Sequence, residues 1–167
     1  MAGPAFELYR LDRELSREEV IAALDAMPVL LRDVIAMHDA AVLGQPMADG
    51  EWSPIEVVRH FRDIAQVYGM RFKWMILQDE PLLANYDENR WAAESPDGPA
   101  QVESMLAEIA AYRAETVRLL RSLTAEGWSR RGRHETIGIV ELEPYVRHEL
   151  SHEEQHLEQL RVALAGA

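Results

Sequence analysis

Four stretches of this sequence repeat apolar residues at the three-to-four-residue spacing of a helix face, and none of comparable length alternates apolar and polar residues as a half-buried strand does. That pattern predicts an all-α fold. The first stretch opens at Ser16, where Ser16-Arg17-Glu18-Glu19 supplies an N-cap hydroxyl and a Glu three residues on, a capping box. Apolar positions follow at Val20, Ile21, Leu24, Met27, Leu30, Leu31, Val34 and Ile35. Pro28 is expected to kink or break this helix, with Gly44, Pro46 and Gly50 closing it. The second start is sharper, because Ser53-Pro54-Ile55-Glu56 joins an N-cap, a proline at the first helical position and a capping-box carboxylate. It predicts a helix to about Gln78, a third runs from about Pro99 to Leu123, and a last from near Pro144 to about Leu164.

Between the second and third helices, Pro81, Asn85, Asp87, Asn89, Pro96, Asp97, Gly98 and Pro99 predict a long connection holding at most a short helical piece. Loops of that length usually carry function or cover something. Gly127, Gly132 and Gly138 punctuate a second long connection, in which no convincing pair of strands is expected. The whole, residues 1–167, is predicted to be a single four-helix bundle domain, a fold that builds metal and ligand sites from inward-facing side chains.

Composition narrows the function. The chain has no Cys, which excludes a disulfide framework, a thiol nucleophile and thiolate metal ligation, so any metal is held through His, Asp or Glu. With 17 Lys plus Arg against 29 Asp plus Glu, the net charge of −12 repels phosphate backbones, and no nucleic-acid partner is expected. The longest apolar run, Ala26 to Leu31, is far below the ~20 residues that span a bilayer, so neither a membrane segment nor a signal peptide is expected.

His148, His152 and His156 fall at intervals of four on the last helix, each about 40° round from the one before, and make one stripe. His152-Glu-Glu-Gln-His156 has the spacing that lets two imidazoles of one helix share a metal. Helical arithmetic puts His152 and His156 at the border of the apolar face and His148 further toward water. It sinks Glu149 and Glu153 into the apolar sector, where carboxylates need partners. The second helix sets His60 at the edge of its own apolar face, beside Ile64, which makes it the candidate third ligand. The competing reading is a solvated row of imidazoles paired with Glu149, Glu153 and Glu154. His38 and His134 are read as surface or loop residues.

Trp52-Ser53-Pro54-Ile55-Glu56-Val57-Val58-Arg59-His60, followed some ninety residues later by His152-Glu153-Glu154-Gln155-His156-Leu157-Glu158-Gln159-Leu160, closely resembles the DinB-like (DinB/YfiT) superfamily of metal-dependent four-helix-bundle proteins. Leu24 to Pro28, Asp79-Glu80-Pro81-Leu82, Tyr86-Asp87, Arg113 with Leu119-Leu120, and Trp128 fall where the family has its usual landmarks, so the resemblance covers nearly the whole chain. It implies helices in up-down-down-up order, a cytoplasmic homodimer, and a divalent ion on His60, His152 and His156. It also implies transfer or hydrolysis of a small-molecule substrate, in many relatives with a low-molecular-weight thiol. His148 lies outside the usual triad, and a register one turn away would pair it with His152.

Three neutral imidazoles suit zinc, nickel or iron, and leave the ion a Lewis acid for whatever fills the open position. Sulfur chemistry would need a thiol from solution. Glu153 or Glu149 is expected to orient a ligating imidazole through its second N–H. Arg71 and Arg113 are candidate clamps for a substrate carboxylate, although ion pairs within an acidic bundle are the stronger expectation for both. Trp52, Trp74 and Trp91 are read as packing in the core or at the rim. The alternative to an enzyme is a non-catalytic bundle protein that binds metal or a small ligand.

Overall fold

The computed structural model describes residues 13–165. Its four long helices are α1 (Arg17–Ile35), α3 (Pro54–Leu77), α5 (Val102–Arg121) and α7 (Leu142–Leu164), with short helices α2 (Ala40–Leu43), α4 (Glu88–Glu94) and α6 (Ala125–Trp128) in the connections. Both capping boxes form. Glu19 Oε2 accepts from the backbone N–H and the hydroxyl of Ser16, each at 2.7 Å. Glu56 Oε2 does the same for Ser53 at 2.8 and 2.6 Å.

The break expected at Pro28 does not occur. Val20, Ile21, Leu24 and Met27 before it and Leu31 and Ile35 after it are all buried, so continuing the helix keeps one apolar face intact. Burial of side chains of this size offsets the roughly 3 kcal/mol that an interior proline costs. The helix also stops earlier than expected. Past Ile35 the side chain of Asp39 accepts from the N–H groups of Ala41 and Val42 and caps a separate short helix that ends before Gly44.

Side-chain pairs give the helix directions. Arg62–Glu108 and Lys73–Glu115 advance together along α3 and α5, so these two run parallel. Arg32–Glu103 and Arg121–Asp25 run oppositely along α1 and α5. His60 meets His156 while Phe72 meets Tyr145, so α3 and α7 are antiparallel. The order is up-down-down-up, with α1 and α3 each packed on both α5 and α7. Parallel neighbours cannot be joined by a tight turn, which is why residues 78–101 must travel back along the bundle.

The connections hold strands that the sequence did not lead us to expect: β1 (Leu82–Leu83), β2 (Arg131–His134) and β3 (Gly138–Glu141), in a sheet ordered β1-β2-β3. β1 pairs parallel with β2, and β2 pairs antiparallel with β3. β2 reads Arg-Gly-Arg-His, without a β-branched or aromatic residue, and four residues are too few for alternation to register. Tertiary contact specifies it instead. A Cβ on Gly132 would sit 2.8 Å from Leu83 Cδ1 and 3.0 Å from Met75 Cγ, so only glycine lets β2 lie this close to β1 and α3. Among the described residues no helix is long and apolar enough to cross a membrane.

Candidate metal centre

Because α3 and α7 are antiparallel, His60 near the start of one helix meets His152 and His156 in the second half of the other. One nitrogen from each ring lies within 4.8 Å of the other two, the one such group of three among the described residues. The ring centroids are 5.2 Å apart for His60–His152 and 4.7 Å for both His60–His156 and His152–His156. Trp52, just ahead of the Ser53 cap, stacks on His156 at 6.0 Å and meets His60 edge-on at 5.0 Å. It shields the trio from one side.

The electrostatics of the trio leave room for a cation. Burial first, then the neighbouring His156 and His152, lowers the His60 pKa to about 2, and burial likewise brings His152 to about 3. Neutral imidazoles present lone pairs. Gln159 Oε1 lies 3.0 Å from His156 Nδ1 and accepts its proton, which turns the bare Nε2 toward His152 Nε2, 3.0 Å away. Both ring nitrogens of His60 are buried without a hydrogen bond. Buried polar atoms rarely stay unsatisfied, and a divalent ion among the three rings satisfies one on each.

His148 lies 2% exposed, not toward water, and its ring stacks on Tyr145 and on His152, each at 6.0 Å. It is outside the convergent trio. His134 is not a surface residue either: it is 7% exposed on β2, 6.2 Å from the Tyr145 ring. Both line a cavity of about 550 Å³ that opens beside His152 and is also walled by Tyr68, Arg71, Tyr145 and the 85–89 segment. Sequence reasoning placed His148 too far round the helix because the bundle wraps α7 on more of its circumference than an amphipathic surface helix.

Glu149 and Glu153 are fully buried, as the helical arithmetic requires, but their partner is Arg113 rather than an imidazole. Arg113 reaches across the bundle from α5 to both, with Nη1 at 2.9 Å from Glu149 Oε1. It is 1% exposed and does not line the cavity, which removes it as a substrate clamp. Burial raises both carboxyls while Arg113 pulls them down. Arg71 is different: it lines the cavity and donates to the Tyr145 hydroxyl at 2.7 Å and to the Ala84 carbonyl.

Glu88 was missed in the sequence. From the first turn of α4 its Oε2 lies 3.9 Å from His60 Nε2, half-exposed, with its pKa raised by burial and then by Asp87. The signal was only that the 79–99 segment is long; nothing in its composition marks where it folds back.

The buried imidazoles set a pH dependence. A histidine whose pKa is lowered by folding refuses protons that the unfolded chain takes up near 6.5, so stability is present above that pH and lost as pH falls toward the folded values. Glu149 and Glu153, both raised in the folded state, act oppositely, as do Asp63 and Glu88, but the lowered imidazoles of His60, His134, His148, His152 and His156 outnumber them. The chelator-treated protein is expected to show urea midpoints that fall steadily from pH 7.5 through 6.5 to 5.5.

Residues 14–160 match the family model of the DinB superfamily. A protein of Bacillus subtilis (strain 168) named "Putative metal-dependent hydrolase YfiT" is 26% identical over 153 residues, 89% of this chain and 86% of that protein. One of the same description from Geobacillus thermodenitrificans (strain NG80-2) is 28% identical over 113 residues, 68% of this chain and 64% of that protein, so the match spans under two thirds of its length. The solved structure of Bacillus subtilis YfiT, with "an unusual four-helix bundle topology", superposes with a TM-score of 0.84 at 26% identity, covering 95% of this chain and 93% of that one. TT2238, a four-helix bundle protein, gives a TM-score of 0.61 at 19% identity over 88% of this chain and 99% of that one, a likeness of fold.

Proposed function

We propose, on the premise that this chain belongs to the DinB superfamily, that it hydrolyses a small molecule with a divalent metal held by His60, His152 and His156. The observation that carries this reading is His60: a buried ring, neither nitrogen hydrogen-bonded, facing two imidazoles whose Nε2 atoms already face each other. The names of the relatives support the reaction class. A bound ion supplies Lewis acidity that polarises a carbonyl and acidifies a water.

The protein's own residues supply the rest. Gln159 fixes the His156 ring by accepting from Nδ1, and Trp52 keeps solvent off its face. Glu88, raised in pKa and beside His60, takes the proton of an attacking water and returns it to the leaving group. The cavity admits the substrate from the His152 side. A cytoplasmic location and a homodimer belong to the same proposal, the homodimer supported by the exposed apolar stripe of Met70, Trp74 and Leu77 on α3.

The test is a panel of small amides and esters, with and without a low-molecular-weight thiol, offered to chelator-treated protein and to protein reloaded with zinc, nickel or iron. Thiol-independent turnover is expected only after reloading, and Glu88→Gln is expected to lower kcat about 100-fold with unchanged metal content. Turnover that strictly requires the thiol replaces the hydrolase with a transferase. Metal binding without turnover of any substrate leaves the non-catalytic alternative.

A further inference from the structure

The two arginines buried among the described residues have opposite surroundings. Among the described residues Arg113 pairs with two carboxylates and does not line the cavity, whereas Arg71 lines it and pairs with no carboxylate. Arg71 is 3% exposed, and among the described residues its side-chain hydrogen bonds go to the Tyr145 hydroxyl and the Ala84 carbonyl, both neutral. No Asp or Glu among the described residues comes within the 4.0 Å of an ion pair. A guanidinium has five N–H donors, so several remain available. The rings of Tyr68 and Tyr86 flank it, with centroids 5.5 and 5.8 Å from the guanidinium carbon, and hold it in place. A buried cation without a counter-ion is costly, and a fork of this geometry matches a carboxylate in a bidentate way.

We propose that Arg71 receives the carboxylate of the small-molecule substrate, whose reacting bond lies at His60, His152 and His156. The span between the two ends follows from α7: Tyr145, the partner of Arg71, precedes His152 by two turns, about 10 Å. The stacked rings of Tyr145, His148 and His152 line the wall between them. The carboxylate held there therefore lies about 10 Å from His152, the nearest of the three imidazoles, while His60 and His156 each stand eleven residues, about 16 Å, along their helices from Arg71 and Tyr145. A singly charged carboxylate is selected over a phosphate dianion because Asp87 and Glu88 line the same cavity and no second buried cation does. This inference rests on the hydrolase reading for which end reacts, and not for which end is held.

The two are separated by titrating hexanoate and, in parallel, inorganic phosphate into the full chain at pH 7 and low salt, by calorimetry. Hexanoate is expected to bind with an affinity that falls about tenfold or more in Arg71→Gln and stays within about twofold in His60→Ala, with phosphate weaker than hexanoate. Unchanged affinity in folded Arg71→Gln, loss in His60→Ala, or tighter binding of phosphate each overturns the proposal. If circular dichroism shows that Arg71→Gln does not fold, Arg71→Lys decides: a loss of about threefold or more supports the fork, and unchanged affinity overturns it. Arg71-dependent hexanoate binding in a protein that turns over nothing when metal-loaded sinks the hydrolase and leaves the carboxylate site standing.

Discussion

His60→Ala, purified without an affinity tag, is expected to carry almost no divalent metal where the parent chain carries about one ion per chain. His60 is the sole member of the trio supplied by α3, so its removal leaves two imidazoles one turn apart on α7. Such a pair lacks the third ligand that protein zinc sites ordinarily provide. Loss of a merely orienting neighbour costs 10- to 100-fold in metal affinity, and loss of a ligand costs more, so a weakening beyond about 100-fold is expected. Elemental analysis gives the content, and competition with a chromophoric chelator gives the affinity. His152→Ala is expected to behave alike, whereas His148→Ala, whose ring stacks beside the trio without joining it, keeps its metal. Unchanged metal in both His60→Ala and His152→Ala removes the site.

The second large effect lies in the bundle's interior. Arg113→Met is expected to destabilise the chelator-treated protein at pH 7 by about 3–5 kcal/mol, measured by urea denaturation, because Glu149 and Glu153 then lie buried with no cation. The size of the deficit depends on pH in an informative way. Both carboxyls already have raised pKa values, and without Arg113 they bind protons more readily, so the deficit relative to the parent shrinks toward pH 5. Adding Glu149→Leu and Glu153→Leu to Arg113→Met is expected to recover most of the loss, since apolar groups of similar volume replace buried ion pairs at little cost. A deficit independent of pH would mean that lost packing, not stranded charge, governs this position.

The helices and the His152/His156 pair were legible because each rests on a local periodic signal, whereas His60, a candidate from the edge of its own helix face, was joined to that pair by the resemblance to a family. The capping boxes at Ser16 and Ser53 mark real helix starts, and the four-residue spacing of His152 and His156 survives any tertiary detail. The arithmetic that buried Glu149 and Glu153 was sound, but it could not name Arg113, which comes from a diagonally opposed helix. His148 was misplaced for a related reason: the angle round a helix gives orientation, while the width of the buried sector depends on neighbours. His134 and Glu88 were invisible, since both sit where short strands and a seven-residue helix are fixed by contacts far away in sequence. Pro28 shows the converse, a strong local signal overridden by a continuous buried face.

The cavity has two kinds of wall. Arg71, Tyr145 and His152 stand on long helices, whereas residues 85–89 and 134–137 belong to the returning crossover and the hairpin. Insertions or replacements in those two segments remodel the entrance while leaving the imidazole cluster and its helical frame untouched. The three imidazoles and Arg71 are thus inherited apart from most of the rim, so one scaffold can reshape the mouth of its cavity without disturbing the helical side chains behind it.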